Sequence, residues 1–393
     1  MLDANFFKEK AEELYPLIKD VREHLHQFPE LSFQEHETSA YLQSKLKELR
    51  LDFSSGWADT GIVGQIGNAG KTLALRADID ALPIVEENEV DYVSRNKGVM
   101  HACGHDVHSA SLLGALAILS IIPDLGGKIK FIFQPGEEKN PGGASLLIKE
   151  GVLENPTVEA IYGQHVFPDL DYGKVGFRPG MYMASCDEIY IEIEGKGGHG
   201  ALPHKAIDPV YVASQIVVSL QNIVSRRADA TIPSVLSFGK FLANGATNVI
   251  PSVVHLEGTF RTYNEEWRAY AHDLIRKQVM GLAASFDATA SVKIDKGYPF
   301  LKNDEKLTAQ SRKWAEELLG PDHVVDLQMR PTAEDFSYYS QQVPACFYRL
   351  GVRNEAKNIV HGVHHPQFDI EPESLKTGMA TMAWLAYKYL QEA

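Results

Sequence analysis

An α/β fold in two domains, one inserted into the other, is predicted from three observations. Strand-like runs and amphipathic helices alternate with short connections over the first part of the chain, and the same alternation resumes near its end. Between them the order of elements changes to strand, helix, strand, strand, helix, strand. The length of 393 residues also exceeds what one hydrophobic core usually serves.

Residues 5–27 place Phe6, Leu14, Leu17, Ile18, Val21 and Leu25 at mostly helical spacings, which predicts an amphipathic helix stopping near Pro29. A second helix is expected over 35–49. Strand-like runs follow at 61–66 and 72–77, and the second ends in RADIDALP, which gathers acidic side chains past a strand's C-terminal end. A helix over 107–122 precedes the strand KIKFIFQ, which runs directly into PGEE. A helix over 143–150 and a strand over 158–166, reaching His165, complete this part. Short connections between these elements predict a largely parallel sheet, and the candidate ligands fall after strand ends, where such sheets place their sites.

From Asp187 the pattern is a strand over 187–195, a Gly-rich turn, a helix over 206–225, strands over 234–242 and 252–262, a helix over 264–286 and a strand over 289–296. That order, βαββαβ, predicts an inserted ferredoxin-like domain. The expected boundaries are 1–186 with 298–393 for the discontinuous α/β domain and 187–297 for the insert. A helix over 305–318, a short helix at AEDFSYY, a strand over 345–350 and a closing helix over 372–390 return to the first pattern. Repeats and low-complexity tracts are not visible.

A formal net charge of −14 argues against nucleic acid as an electrostatic partner. The first residues alternate charged and apolar side chains and show no basic region followed by an apolar core, so a cytoplasmic location is expected. The longest apolar run, 112–122, is shorter than the roughly twenty residues a bilayer requires, and no membrane association is expected. Three cysteines are too few and too scattered for a disulfide framework. Cys186 and Cys346 lie beside apolar strand-like runs and read as inert, leaving Cys103 as the thiol with ligand neighbours.

The stretch from Met100 to His108 packs three histidines, a cysteine and an aspartate into nine residues. Imidazole and thiolate select a zinc-like ion, and Cys103 and His105, two apart, can converge on one point from a strand end or tight loop. Asp106 is expected to cap the helix beginning near Val107, with His101 and His108 in supporting or surface positions. QPGEE puts Glu137 and Glu138 side by side past a buried strand, where one carboxylate can bind metal while its neighbour handles protons. His165 and the late cluster His361, His364 and His365 are further candidates. GKGGHGALPH opens the insert with glycines that let backbone approach a ligand, and with His199 among them. Its spacing is not that of a phosphate loop, and no GxSxG turn offers a serine nucleophile.

In order along the chain, RADIDALP, HACGHDVH, QPGEE, GQHV, GGHGALPH, NVIP, GTFRT, AEDF and HHPQF together resemble the amidohydrolases of metallopeptidase family 20. That branch contains N-acyl-amino acid amidohydrolases, hippurate hydrolases, N-acetyldiaminopimelate deacetylases and auxin-conjugate hydrolases. The resemblance implies a zinc-peptidase-like three-layer catalytic domain with two divalent metal ions, zinc, manganese, cobalt or nickel. Cys103, His105, Glu138, His165 and His364 stand at the five ligand positions, Glu137 at the general base and Asp78 at an acid supporting the site. His199 stands at a histidine that stabilises the oxyanion from a partner subunit. Asn248 and Arg261 stand at positions that hold the substrate's carbonyl and carboxylate.

The resemblance further implies a homodimer through the insert and hydrolysis of an N-acyl amino acid to a carboxylic acid and a free amino acid. A dipeptidase or carboxypeptidase of the same fold is the alternative within enzymes, and a non-catalytic metal or amino-acid binding protein the alternative outside them. Two departures stand out. Gly136 replaces the usual alanine, and His365 follows His364 where Ser or Thr is usual, although the register with Pro366 and Phe368 favours His364 as the ligand.

Overall fold

The computed structural model describes residues 2–392. It divides into two compact units: Met1–Tyr182, Lys302–Met329 and Asp335–Ala393 form the larger, and Met183–Leu301 with Arg330–Glu334 the smaller. The smaller unit begins and ends outside the expected 187 and 297. Hydrogen bonds from Ser185 N to Thr262 O and from Cys186 N to Tyr298 O draw the flanking residues into it, and Ala184 N bonds to Arg330 O and Thr332 O.

The larger unit is built on an eight-stranded sheet in the order Phe53–Trp57, Gly61–Ile66, Lys128–Gln134, Thr72–Asp78, Ala160–Asp171, Ala345–Arg353, Val175–Phe177, Val324–Asp326. Lys128–Gln134, Thr72–Asp78, Ala160–Asp171 and Ala345–Arg353 run parallel. Antiparallel pairs flank them, so the largely parallel sheet expected from sequence is corrected to a mixed one. For the first of these pairs the cause is local: Phe53–Trp57 and Gly61–Ile66 are separated by a tight turn, which joins only antiparallel neighbours. Every residue of Thr72–Asp78 is buried, as a central parallel strand requires.

Helix His105–Ser120 is buried through Leu119 and packs between Ala4–Gln27 and Ser374–Gln391. Its apolar side chains Leu112, Leu116 and Leu119 join Leu73, Leu75 and Phe131 of the sheet in one core. The strand expected to end at His165 continues to Asp171, because Ala345–Arg353 accompanies it that far in parallel register.

The smaller unit carries a four-stranded antiparallel sheet in the order Ser234–Leu242, Val253–Thr262, Asp187–Glu194, Thr289–Lys296, with helices Pro209–Asn222 and Glu265–Ser285. Burial alternates along Asp187–Glu194, so Ile189, Ile191 and Ile193 face its own core. Among the described residues no helix is long and apolar enough to cross a membrane.

Candidate metal centre

Two central strands deliver site residues at their C-terminal ends, and a third carries one midway along it. Thr72–Asp78 brings Asp78 and, two residues on, Asp80; Lys128–Gln134 runs into Glu137 and Glu138; Ala160–Asp171 carries His165. Cys103 and His105 flank Gly104, whose φ of +80° turns the chain into the helix that His105 begins. Only glycine fits there comfortably: a Cβ at Gly104 would stand 2.6 Å from Val166 Cγ2. The left-handed residue thereby lets ligands two apart in sequence face one place.

Ligand-capable atoms of Cys103, His105 and His165 lie within 4.8 Å of one another, and so do those of Cys103, Glu138 and His364. The two groups share Cys103. All five residues expected as ligands therefore come together in the larger unit. His364 Nε2 is 3.3 Å from Glu138 Oε1. His365 instead stacks on His361, with ring centroids 4.3 Å apart, and its Nδ1 accepts from Gln367 N–H.

The surrounding hydrogen bonds orient each ring. His165 Nδ1 donates to Val166 O at 2.8 Å, which leaves Nε2 as the bare nitrogen, 3.5 Å from Cys103 Sγ. Burial, reinforced by Arg349, holds His165 well below the usual imidazole range and hence neutral, as a ligand must be. His105 Nδ1 is 3.1 Å from Asp80 Oδ1, and its buried Nε2 has no hydrogen-bond partner. That nitrogen lies 3.8 Å from Asp78 Oδ2 and 4.0 Å from both Glu137 Oε2 and Glu138 Oε1. Glu138 Oε1 is likewise buried without a hydrogen bond.

A buried imidazole nitrogen without a hydrogen bond and a buried carboxylate oxygen near it, in one thiol-bearing cluster, are what a bound cation would satisfy. Proton affinities point the same way. Burial opposes charge on His105, but Asp78 and Cys103 raise it well above the ordinary value. His364 is pushed up to about 10 through Cys103 and Glu138. Burial and the Glu138 charge raise the Cys103 thiol. A cluster that draws protons this strongly when metal-free is one where divalent cations fit in their place.

Glu137 is buried beside the cluster, and its Oε1 accepts Asp335 N–H at 3.4 Å. Asp78 is anchored by Arg76 Nη1 at 2.6 Å and by His108 Nδ1 at 2.5 Å, while His108 Nε2 accepts Val166 N–H. Burial works against its charge, yet His105 and Arg76 hold its carboxyl well below the usual range.

The carboxylate that orients His105 through Nδ1 is Asp80, which sequence reasoning passed over. Its other oxygen accepts from Glu138 N and from Ser32 Oγ, so one side chain fixes two of the candidate ligands. The signal was present in RADIDALP, since acids two apart on an extended chain share a face. Three further residues of the opening cluster are placed as follows. Gly104 takes the N-cap position, and Asp106 in the first turn satisfies a helix-start donor as expected, its Oδ1 accepting Val107 N–H at 3.0 Å, while its Oδ2 pairs with Arg22 and His26. His101 and His108 are fully buried, so neither is at the surface, and His108 supports the site through Asp78.

His199, Asn248 and Arg261 belong to the smaller unit. Gly198–His199 pairs with Val249–Ile250, Asn248 O accepts Gly200 N–H, and His199 Nδ1 accepts Ala201 N–H, which brings these two exposed residues together. Arg261 lies on strand Val253–Thr262, its Nε donating to Thr259 Oγ1.

A thiol shared by two groups able to hold a metal ion, with an acid beside them, is the arrangement of a dinuclear metallohydrolase. Residues 74–388 match the model of peptidase family M20/M25/M40. The chain belongs to that family and is a hydrolase. It is 40% identical over 358 residues to N-acetyl-L-cysteine deacetylase of Bacillus subtilis, covering 90% of this chain and 84% of that one. It is 42% identical over 306 residues to N-acyl-L-amino acid amidohydrolase of Geobacillus stearothermophilus, covering 76% and 82%. Thermostable carboxypeptidase 2 of Saccharolobus solfataricus is 37% identical over 388 residues, covering 97% and 98%. The crystal structure of the Bacillus subtilis YxeP protein, described as a dinuclear metal binding peptidase of the M20 family, has a TM-score of 0.84 at 34% identity, covering 97% of this chain and 100% of that one.

Proposed function

We propose that this chain hydrolyses N-acyl amino acids to a carboxylic acid and a free amino acid. The observation that carries the reading is Glu137, a buried carboxylate within 4.0 Å of a ligand nitrogen and next in sequence to a ligand carboxylate. A site that only bound metal would not need a base there. Divalent ions held by Cys103, His105, Glu138, His165 and His364 would polarise the amide carbonyl and lower the pKa of water at that place. Zinc, manganese, cobalt and nickel all suit this donor set, and the thiolate leans toward the softer of them.

Glu137 takes a proton from the attacking water as the new C–O bond forms, and delivers it to the nitrogen as the C–N bond breaks. Asp80 keeps His105 and Glu138 in place through this exchange. In this reading His199 stabilises the oxyanion, Asn248 holds the substrate carbonyl and Arg261 pairs with its carboxylate. Support for a homodimer through the smaller unit comes from strand Ser234–Leu242, which ends its sheet and leaves Val235, Phe241 and Leu242 exposed. Three free cysteines, one of them a ligand, suit the reducing cytoplasm.

The test is a metal-reconstituted screen of N-acetyl, N-benzoyl and longer N-acyl amino acids against dipeptides. Faster turnover of N-acyl amino acids is expected. Faster cleavage of dipeptides would favour a peptidase instead, the reading that similarity to the carboxypeptidase supports.

A further inference from the structure

His364 sits on a loop without regular structure between the turn Glu355–Lys357 and helix Ser374–Gln391. Its φ is +66°, a left-handed backbone that an L residue keeps only where its surroundings over-determine it. One tie is its own N–H, which donates to Ala102 O at 2.7 Å. Other ties come from residues that play no part in the chemistry. Glu87 N–H donates to Pro366 O at 2.9 Å, and the Asn88 side-chain amide donates to Phe368 O at 2.9 Å. Both oxygens of Asp369 are engaged, Oδ1 by Arg22 Nη2 at 2.9 Å and Oδ2 by the Tyr92 hydroxyl at 2.7 Å.

Arg22 has a second attachment. It is 1% exposed on helix Ala4–Gln27, and its Nε donates to Asp106 Oδ2 at 2.9 Å. Asp106 directly follows His105. The guanidinium carbon lies over the Tyr92 ring, 4.8 Å from the centroid. One buried fork therefore joins the segment that carries His105 to the segment that carries His364. A divalent ion binds well only when its ligands are held within about half an ångström of the required geometry. A half-exposed imidazole on an irregular loop needs that precision from outside.

We propose that Asn88 and Tyr92 are positioning residues for His364, and that Arg22 is the positioning residue that fixes His364 relative to His105. Asn88 and Tyr92 set the affinity of the ion that His364 shares with Cys103 and Glu138. Arg22 acts on both ions, because both ligand segments hang from it. The inference rests on the two-ion reading of the centre.

The test is an equilibrium zinc titration of the metal-free full chain against a competing chelator, with ion counts by mass spectrometry. His364→Ala identifies one ion by losing it. Tyr92→Phe combined with Asn88→Ala should bind that same ion about 10- to 100-fold more weakly and leave the other unchanged. Added to His364→Ala, the pair should cause no further loss, a cycle that general loosening of the fold would not reproduce. Wild-type affinity for both ions, equal weakening of both, or further loss in the His364→Ala background would overturn the proposal.

Arg22→Lys keeps the buried charge but cannot serve two carboxylates as a fork, so both ions should weaken; unchanged binding removes Arg22 from the scaffold. A wild-type chain that binds a single ion would overturn the two-ion reading by itself. The roles of Asn88 and Tyr92 are then judged on whether their variant weakens whichever ion His364→Ala removes.

Discussion

Glu137 and Glu138 are adjacent, yet the fold gives them different surroundings. Glu138 is tied at its backbone to Asp80 and leaves Oε1 without a hydrogen bond, while Glu137 is held through its side chain by Asp335 N–H. Glu137→Gln should therefore keep the metal content and lose turnover by about 10² to 10⁴, as loss of proton transfer requires. Metal analysis beside steady-state kinetics checks this, and near-full turnover in a metal-loaded variant would remove Glu137 as the base. His364 gives a pH prediction. Cys103 and Glu138 raise it from 6.5 to about 10 in the metal-free chain. Its contribution to the stability of that form is full below 6.5 and lost as pH rises through about 10. An incoming ion must displace that proton, so metal affinity should rise with pH below 10, about tenfold per unit for each proton released. Titrations at several pH values read this directly, and a flat profile would contradict it.

At the scale of elements, the site depends on how strands stop and helices start. Gly104 holds the turn that separates Cys103 from His105, with φ +80° and Val166 against it. Gly104→Ala meets both a left-handed backbone penalty and a clash, and should cost about 1–3 kcal/mol. Denaturant unfolding of the metal-free variant measures that loss, and weaker metal binding should accompany it because the two ligands no longer converge. Gly136 has a related constraint. Its φ is +66°, and a Cβ there would approach Phe33 Cζ to 2.3 Å. The ring of Phe33 thus fills the space an alanine would claim. The sequence showed Gly136 as a departure but could not show this reason, because Phe33 is distant along the chain.

For the whole molecule, the metal centre lies in the larger unit, and His199, Asn248 and Arg261 lie in the smaller. If His199 serves the site of a partner subunit, mixing His199→Ala with Glu137→Gln chains should recover activity in hybrid dimers. Subunit exchange confirmed without any recovery would count against sharing. The same mixture measured by sedimentation tests the dimer that the open edge of strand Ser234–Leu242 suggests.

What the sequence determined by itself was whatever is encoded locally. Periodicity placed the long helices and the central strands but not the flanking strands Phe53–Trp57, Val175–Phe177 and Val324–Asp326, and dense ligand spacing singled out Cys103 and His105. The order of the motifs suggested the remaining ligands, Glu138, His165 and His364. Local patterns reach only a few residues, so they could not tell which of Asp78 and Asp80 faces His105 Nδ1. They could not show that Asp106, besides accepting Val107 N–H at the helix start, pairs with Arg22. Nor could they show that Gly61–Ile66 pairs antiparallel with Lys128–Gln134, or Val175–Phe177 with Ala345–Arg353, since those pairs join distant parts of the chain. Those matters belong to tertiary structure. Arg22, Asp106 and Asp369 carry complementary charges from distant parts of the chain, and burial forces them to find one another because an unpaired charge inside the protein is too costly to keep.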